Sequence, residues 1–480
     1  MKNERVLAGY EPAALFAHFE NISAIPRGSG NEAGVAAYLC DFAEKHGLEY
    51  HTDALHNVLI KKSATAGYES HPPVVLQGHT DMVCEKNEDV EHDFLRDGLR
   101  LRVDDGWLSA EGTTLGGDDG AAVAIMLALL GDDAIPHPAL ECVFTTQEET
   151  GMDGALGFDW SLVRGRTLIN LDSEALDVAT VSCAGGATGK IRFDIESQPC
   201  GSKALRIFVT GLAGGHSGAD IHLGRANSII TLCRILSETA EKTPVRIVSL
   251  NGGSKSNAIP RECAAVIAVE DAGTAEKAAR EAADRIAAEL TAADAGFRVE
   301  IGPAAADSAF SEADTKRLLA FTALTPNGVQ TRSPAAPELV ESSCSLGVVR
   351  TEGGSVTFTV MPRSSVDSRL DYLIMKINML AETLGADCAF VDRHPGWAYA
   401  AESPIRDAYL ETYKEYFGTE ARAEAIHAGL ECGIISQKLG GIDAVSVGPE
   451  MHDIHTPSER MNLQSFADAY ALTVKVLGKF

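Results

Sequence analysis

Two spacings of hydrophobic residues alternate along the first third of the chain, one typical of helices and one typical of buried strands. Residues 11–24 and 31–46 carry apolar side chains at helical intervals, and Gly47 is suited to end the second helix. A third helix is predicted at residues 121–130. Short apolar runs predict strands at 74–77, 140–146 and 167–171. Strands that alternate with helices in this way indicate an α/β sheet buried on both faces.

The pattern changes near Cys183 and returns after Pro395. Between these points the order is strand, helix, strand, strand, helix, strand, which is typical of a ferredoxin-like layer. The strands predicted there are 205–210, 245–250, 263–269, 297–301, 345–350, 355–361 and 387–391, with helices at 225–242, 275–294 and 366–384. Helices at 404–417, 430–439 and 465–477 and a strand at 444–447 follow. We therefore predict an inserted α+β domain at residues 186–395, within an α/β domain formed by 1–185 and 396–480. No internal repeat is visible.

Charge and cysteine usage narrow the possible partners and the compartment. The 480 residues include 41 Lys and Arg against 68 Asp and Glu, a net charge of −27. An acidic surface repels nucleic-acid phosphates and anionic membranes, so we expect neither as a partner. No apolar run approaches the roughly 18 residues of a membrane span. The 10 cysteines include no C-x-x-C pair, and most have apolar neighbours, so we expect a reduced, cytoplasmic protein.

Polar residues cluster at the ends of the predicted strands, where ligand sites form in open α/β sheets. His79 and Asp81 follow the strand at 74–77, and a metal-bound His often donates its other N–H to such a carboxylate. A hydrogen-bonded pair in a loop is the alternative. Asp118 and Asp119 stand between glycines before an apolar helix. They are either ordinary helix-capping residues or two crowded carboxylates that need a cation between them.

Three further polar clusters are candidates. Two of them follow predicted strands, and the third lies near the C-terminus. Glu148 and Glu149 follow the strand at 140–146, so one could bind a metal while the other accepts a proton, or both could lie in a solvated turn. Asp172 follows the next strand. Either His452 or His455 could be a ligand, with the other structural.

Taken together, these clusters favour a metal site over five unrelated loops. Imidazole, carboxylate and water suit Zn²⁺, Mn²⁺ or Co²⁺. Two metals need a shared carboxylate, and one member of the Asp118–Asp119 pair is the natural choice.

The ordered set of motifs resembles the dinuclear zinc metallopeptidases that include aminoacylase, glutamate carboxypeptidase and cytosolic dipeptidases. The order His-x-Asp, Gly-rich loop with Asp, Glu-Glu, Asp and C-terminal His runs through nearly the whole chain. Within that family the chain is similar to the aminoacyl-histidine dipeptidases, on the segments 77–83, 214–218, 326–329 and 427–433. Asp119 stands where these dipeptidases usually carry Asn. The resemblance implies a zinc-peptidase-like catalytic domain with a central mixed sheet, and an inserted lid and dimerisation domain.

The resemblance also implies a role for each matching residue. For the metal centre, His79 would bind one metal with Asp81 orienting its imidazole, Asp118 would bridge both metals, Glu149 would bind the metal opposite the one held by Asp172, and His455 would complete the second set. For catalysis, Glu148 would be the general base and His216 would stabilise the oxyanion. Asn257, Arg363 and Gly429 would contact substrate.

Three functions follow as hypotheses. The first is hydrolysis of dipeptides, Xaa-His such as β-alanyl-histidine among them, with two Zn²⁺ per subunit that Co²⁺ or Mn²⁺ could replace. The second is an amidohydrolase that acts on N-acyl amino acids with the same metal site. The third is a metal-binding scaffold without hydrolytic activity, against which the presence of Glu148 argues. The resemblance further implies a homodimer formed through the inserted domain, with His216 acting in its own subunit or in its partner's.

Overall fold

The computed structural model describes residues 5–200, 203–334 and 336–480, which form two compact units. The first unit consists of the described residues up to Ser182, with Tyr399–Ala425 and Leu430–Phe480. The second consists of Cys183–Ala398 and Ile426–Gly429. The chain thus enters the second unit at Cys183 and leaves it at Ala398, whereas the sequence analysis put the inserted domain at residues 186–395.

The first unit is built on a mixed sheet of eight strands, which confirms the predicted α/β class. In spatial order the strands are Glu49–Thr52, Val58–Lys62, Leu140–Thr145, Val74–His79, Thr167–Asn170, Asp443–Ser446, Val178–Cys183 and Arg422–Ile426. The four in the centre, from Leu140–Thr145 to Asp443–Ser446, are mutually parallel. Every residue of Val74–His79 and Leu140–Thr145 is buried, as their continuous apolar sequences predict.

Helices pack around this sheet. They are Ala13–Ser23, Ala33–His46, Gly117–Gly131, Pro404–Phe417, Glu431–Leu439 and Leu463–Leu477, with short helical turns at Glu148–Gly151, Asp153–Gly157 and Trp160–Leu162. Gly117–Gly131 has no exposed residue before its last, and its backbone departs from helical angles at Asp118 and Asp119. A small antiparallel sheet joins Met451–His452, Arg460–Asn462, Trp107–Ala110 and Leu101–Asp104.

The second unit is built on an antiparallel sheet. Its main path is Arg298–Ala304, Lys203–Thr210, Cys263–Val269, Val245–Gly252, Val340–Glu352, Ser355–Ser364, Gly185–Asp194 and Asp387–His394, and Gly328–Arg332 pairs with Val340–Glu352. Two-stranded pairs join Ser197–Pro199 to Ser308–Phe310 and Gly215–His216 to Ala258–Ile259. The helices are Ser228–Ala240, Ala272–Ala287, Glu312–Leu324 and Asp367–Thr383, with short turns at Ile221–Leu223 and Ala292–Asp294.

The predicted strand and helix order occurs twice in this sheet. The first occurrence runs from Lys203–Thr210 to Arg298–Ala304, with its four strands in the spatial order fourth, first, third, second. The second begins with Gly185–Asp194, continues after residue 311 and has the same order. The two meet where Gly252 pairs with Val349. The repeat is therefore one of topology, and the sequence does not display it.

Several predicted helix bounds in this unit are wrong for identifiable reasons. The helix predicted at 275–294 ends at Ala287, because the buried Asp294 carboxylate accepts hydrogen bonds from the backbone N–H groups of Ala213 and Ala226 at 2.9 Å each. The helix predicted from residue 225 begins at Ser228, after the N-cap Asn227. The helix Glu312–Leu324 was not predicted.

No helix in the described part of the chain has both the length and the apolar character needed to cross a membrane.

Candidate metal centre

Three neighbouring parallel strands bring the first predicted clusters to one edge of the sheet. Val74–His79 lies between Leu140–Thr145 and Thr167–Asn170, and all three run in the same direction. Their carboxyl ends therefore meet, as expected for a ligand site in an open α/β sheet. His79 is the last residue of its strand, Glu148 and Glu149 follow the second, and Asp172 follows the third.

The side chains at this edge converge on three overlapping sets of metal-ligating atoms, the atoms of each set lying within 4.8 Å of one another. The sets are His79, Asp118 and Asp172; Asp118, Glu149 and His455; and His79, Glu148 and Glu149. Asp118 joins the first two. Its Oδ1 lies 3.0 Å from His79 Nε2, and its Oδ2 lies 3.0 Å from His455 Nε2. A carboxylate with one oxygen turned to each of these two sets has the position that a bridging ligand needs.

The second residue of each ambiguous pair lies elsewhere. Asp119 turns to the backbone and accepts hydrogen bonds from the N–H groups of His79 and Ala122, at 3.2 Å each. His452 lies 3.2 Å from Glu450 and packs against the ring of Trp107. Among the described residues, neither Asp119 nor His452 belongs to a metal-ligating group.

Asp81 is fully buried behind His79 and connects two of the clusters. Its Oδ1 lies 3.4 Å from His79 Nδ1, whose ring nitrogen also faces the Asp81 carbonyl at 3.1 Å. With a proton on Nδ1, the Nε2 lone pair of His79 points at the cluster. The two carboxylate oxygens of Asp81 also accept the backbone N–H groups of Glu148 and Glu149, at 3.1 and 3.3 Å. Ser29 donates to the same carboxylate at 2.7 Å.

The charges at this site shift the pKa values of its members in opposite directions. Burial disfavours the charged form of Asp118, but hydrogen bonds with His455 and His79 outweigh burial and lower its pKa. Burial, reinforced by the charge of Asp118, raises the pKa of Asp172 despite the neighbouring His79. The carboxylates of Asp118 and Glu149 beside it raise the pKa of His455 to about 11. The cluster thus favours positive charge, which a divalent cation would supply.

One buried atom supports the fit to a cation independently of these shifts. Glu149 Oε1 is buried and forms no hydrogen bond. It lies 3.0 Å from His455 Nε2 and belongs to the same set of ligand atoms. A buried carboxylate oxygen without a hydrogen bond is costly unless a cation binds it. The donor types, imidazole nitrogen and carboxylate oxygen, are those that Zn²⁺ and related divalent ions prefer.

Comparison with known proteins agrees with this geometry. The sequence profile of peptidase family M20/M25/M40 matches residues 75–479. The chain belongs to this family. The cytosol non-specific dipeptidase of Escherichia coli (strain K12) is 36% identical over 476 residues, which cover 98% of each chain.

Solved structures give the same result for this M20/M25/M40 family member. The crystal structure of aminoacylhistidine dipeptidase from Vibrio alginolyticus matches with a TM-score of 0.94 and 34% identity, and covers 100% of this chain and 98% of that chain. Aminopeptidase PepT from Bacillus cereus ATCC 10987, with a TM-score of 0.56 and 16% identity over 97% of this chain and 98% of that chain, shares the fold alone. These comparisons confirm the resemblance that the sequence motifs indicated.

Two residues of this family member that the sequence analysis missed hold the Gly-rich loop around Asp118. Glu459 is buried, and its carboxylate accepts backbone N–H groups from four consecutive residues, Leu115 to Asp118, at 2.7 to 3.4 Å. Arg27 is buried and donates to the carbonyl oxygens of Thr80 and Gly116, at 3.0 and 2.5 Å. In the sequence, Glu459 and Arg27 are visible only as single charged residues. Their burial, which marks them as structural, is seen only in the fold.

Glu431 is a third residue that the sequence analysis did not single out. It lies in the motif at 427–433 and is fully buried at the start of helix Glu431–Leu439. Its Oε2 accepts hydrogen bonds from Gln77 and Thr145, at 2.5 and 2.7 Å, while its Oε1 has no hydrogen-bond partner. Burial, together with the charges of Glu431 and Glu149 and against that of His79, raises the pKa of Glu148 to about 8.

In the second unit, His216 has a defined tautomer. Its Nδ1 accepts the backbone N–H groups of Gly218 and Ala219, at 3.2 and 2.9 Å, so the neutral ring carries its proton on Nε2. Burial and the charge of Arg363 lower the pKa of His216. Asn257 lies beside it, because the Asn257 carbonyl accepts the N–H of Ser217 at 2.8 Å.

Arg363 is a buried cation without an anionic partner. Its side chain is 5% exposed, its Nε makes no hydrogen bond, and it forms no ion pair within the described residues. Burial lowers the pKa of Arg363 to about 10. A guanidinium that is buried without a carboxylate is prepared to receive one from a ligand.

Gly429 belongs to the segment Ile426–Gly429. In this segment His427 is buried and lies 2.8 Å from Ser343 Oγ.

Proposed function

We propose that this chain is a metal-dependent dipeptidase of the M20/M25/M40 family that hydrolyses unblocked dipeptides, Xaa-His such as β-alanyl-histidine among them. The convergence of two metal-ligating sets on Asp118 is the observation that carries the proposal. The activities for which the two relatives with 34% and 36% identity are named support the substrate class. We further propose a cytoplasmic location, as the name of the Escherichia coli relative suggests.

Two divalent cations, Zn²⁺ in this proposal and Co²⁺ or Mn²⁺ as substitutes, would be held by the two sets. His79 and Asp172 would bind one, Glu149 and His455 the other, and Asp118 would bridge them. When bound, such ions would polarise the scissile carbonyl and lower the pKa of the attacking water. Asp81 would act through His79 by holding its imidazole in the tautomer that leaves Nε2 free to bind.

Glu148 would be the general base. It lies next to Glu149 in the same short helix and forms a set with His79 and Glu149, outside the two sets that Asp118 joins. A carboxylate with a pKa near neutrality can take a proton from the attacking water and return it to the leaving amine. Its elevated pKa, about 8 in the protein without metal, would fall once divalent cations bind nearby.

The second unit would supply the substrate contacts and close over the substrate as a lid. The Nε2–H of His216 would donate to the developing oxyanion. Arg363 would bind the free C-terminal carboxylate and so restrict substrates to short peptides, with Asn257 and Gly429 as further contacts. We also propose that the protein forms a homodimer through this unit, with His216 acting in its own subunit or in its partner's.

A substrate panel tests the proposal. The metal-replete protein is incubated with β-alanyl-histidine, Ala-Ala, Leu-Gly and an N-acetyl amino acid, and amine release is followed with and without chelator. We expect chelator-sensitive cleavage of the dipeptides. Cleavage of the acetylated substrate alone would replace the proposal with an N-acyl-amino-acid amidohydrolase, and absence of turnover with two metals bound would leave only a metal-binding scaffold.

A further inference from the structure

A cavity of about 260 Å³ lies in the second unit, and none of the residues given a role above lines it. Loop residues 221–225, strand residue Ile259, the segment 327–329 and Ser345 enclose it. The segment belongs to the motif at 326–329, which the proposed mechanism does not use. No carboxylate side chain of the described residues lines the cavity, although the chain as a whole has a net charge of −27. In such an acidic protein, a cavity without carboxylates is suited to an anion.

The cavity contains a buried hydroxyl that nothing satisfies. Ser345 is 1% exposed, and its Oγ has no hydrogen-bond partner. Neighbouring polar side chains in the cavity wall already have hydrogen-bond partners. Asn227 Nδ2 donates to Asn327 Oδ1 at 3.2 Å, and Asn227 Oδ1 caps the helix Ser228–Ala240. A buried hydroxyl without a partner costs free energy unless a ligand or water accepts its hydrogen bond. The Ser345 hydroxyl is therefore available to donate to a bound molecule.

Positive charge at the cavity comes from two sources. Arg225 lines it, and the Arg225 Nε is buried without a hydrogen bond. Its Nη1 donates to the Gly214 carbonyl at 2.7 Å. Asp220 lies 3.6 Å from Arg225, but it also accepts the backbone N–H of His216 at 2.8 Å, so it offsets the guanidinium charge only in part. The second source is the N-terminus of helix Ser228–Ala240, which begins at this wall and adds its positive dipole end.

The remaining wall is apolar and limits the kind of anion. Ile221, Ile259 and Val329 also line the cavity. A bare phosphate or sulfate would leave this surface in contact with water, whereas an aliphatic chain would cover it. The absence of carboxylates from the lining also leaves an ammonium group without an ionic partner. From these observations we propose that the cavity binds a small aliphatic carboxylate without an amino group, through Arg225 and Ser345.

Isothermal titration of the metal-replete protein tests this proposal, with the Arg225→Met protein titrated alongside. The proposed metal centre and Arg363 would also bind carboxylates or phosphate, so only binding that Arg225→Met weakens is assigned to the cavity. Three probes are used: isovalerate, L-valine, which adds only an amino group to it, and inorganic phosphate. We expect the Arg225-dependent binding of isovalerate to be at least about tenfold tighter than that of L-valine or phosphate. Tighter Arg225-dependent binding of L-valine or phosphate, or no Arg225-dependent binding of isovalerate up to about 20 mM, the weak end of small-ligand affinities, would overturn the proposal.

Variants locate the bound isovalerate. Arg225→Met and Ser345→Ala should each weaken its binding, the first by about tenfold or more, because a charge-assisted hydrogen bond is lost. Arg363→Met is the matched control, since it removes the buried arginine of the proposed substrate site, and isovalerate binding should persist in it. Loss of binding in Arg363→Met with retention in Arg225→Met would place the anion elsewhere and refute the proposal. Arg225→Lys, which keeps the charge, should bind more tightly than Arg225→Met and guards against misfolding.

Discussion

The carboxylate of Asp81 accepts the backbone N–H of Glu148 at 3.1 Å. Asp81, which orients the metal-ligand candidate His79, therefore also fixes the turn that carries the proposed base. One buried side chain thereby sets the positions of His79 and of the Glu148–Glu149 pair together. An error in the position of Asp81 would disturb metal binding and proton transfer at once.

Asp81→Asn should therefore reduce both metal affinity and kcat, each by about 10- to 100-fold, because an amide cannot accept at both positions. Competition titration with a chromogenic chelator and steady-state kinetics at saturating metal measure the two effects. Ser29→Ala, which removes only one hydrogen bond to Asp81, should have a smaller effect on both. A change in kcat without a change in metal affinity would contradict the shared role.

The neighbouring glutamates provide a matched pair. Glu148→Gln should retain two metals and lose about 10²- to 10⁴-fold in kcat, since it removes a general base and preserves shape. Glu149→Gln should lose metal, because Glu149, unlike Glu148, shares a ligand set with Asp118 and His455. Metal content by mass spectrometry and kcat are measured on both variants. Loss of metal in Glu148→Gln with full retention in Glu149→Gln would reverse the two assignments.

Glu459→Gln should destabilise the first unit even without metal. The carboxylate accepts N–H groups from four consecutive residues, and the amide would leave some of them unsatisfied at a cost of about 1–3 kcal/mol. Urea unfolding in the presence of chelator measures this cost, and metal affinity is measured separately. Glu450→Gln, at a half-exposed side chain, is the control. Equal stability of the two variants would contradict the role of Glu459.

Arg363→Met should raise KM for dipeptides by about 10- to 100-fold, the effect of losing a charge-assisted hydrogen bond to a carboxylate. The same variant should change KM much less for dipeptide amides, which lack the carboxylate. Comparison of the two substrate types separates a lost contact from general damage to the fold. An equal increase for both would show that Arg363 does not bind the C-terminus.

His427 predicts a pH dependence of stability. Burial, with the charge of Arg363, lowers the pKa of His427 to about 3, whereas an exposed histidine titrates near 6.5. Between these values the unfolded chain binds a proton that the folded chain does not, so stability falls as pH falls, by about 1.4 kcal/mol per pH unit from this residue. His427→Gln should flatten the decline in unfolding free energy between pH 6 and 4. The exposed His51→Gln should not.

The ends of the central strands could be predicted from sequence because buried parallel strands have short, mainly apolar sequences. His79, Glu148 and Asp172 each follow such a run, and one sheet edge then brings them together. The partners that hold them could not be found in this way. Glu459 and the loop at Leu115 are more than 340 residues apart, and no periodicity connects them.

Strands Glu49–Thr52 and Arg422–Ile426 were not predicted, for a reason other than sequence separation. Both are at the edges of the sheet, and most of their residues are exposed. A half-exposed edge strand has no continuous apolar run, so its sequence resembles that of a loop. The repeated topology of the second unit is invisible for a related reason, because what recurs there is the order of elements rather than the identity of residues.

The interleaving of the two ferredoxin-like halves has a consequence for synthesis of the chain on the ribosome. Gly185–Asp194 pairs with Ser355–Ser364 and Asp387–His394, which begin about 160 and about 190 residues after it ends. At about 5–20 residues per second, this strand waits for roughly 10–30 s while the first half is being made. During that time its backbone edges are open to other chains, so the nascent protein should depend on chaperones more than either half would if made contiguously.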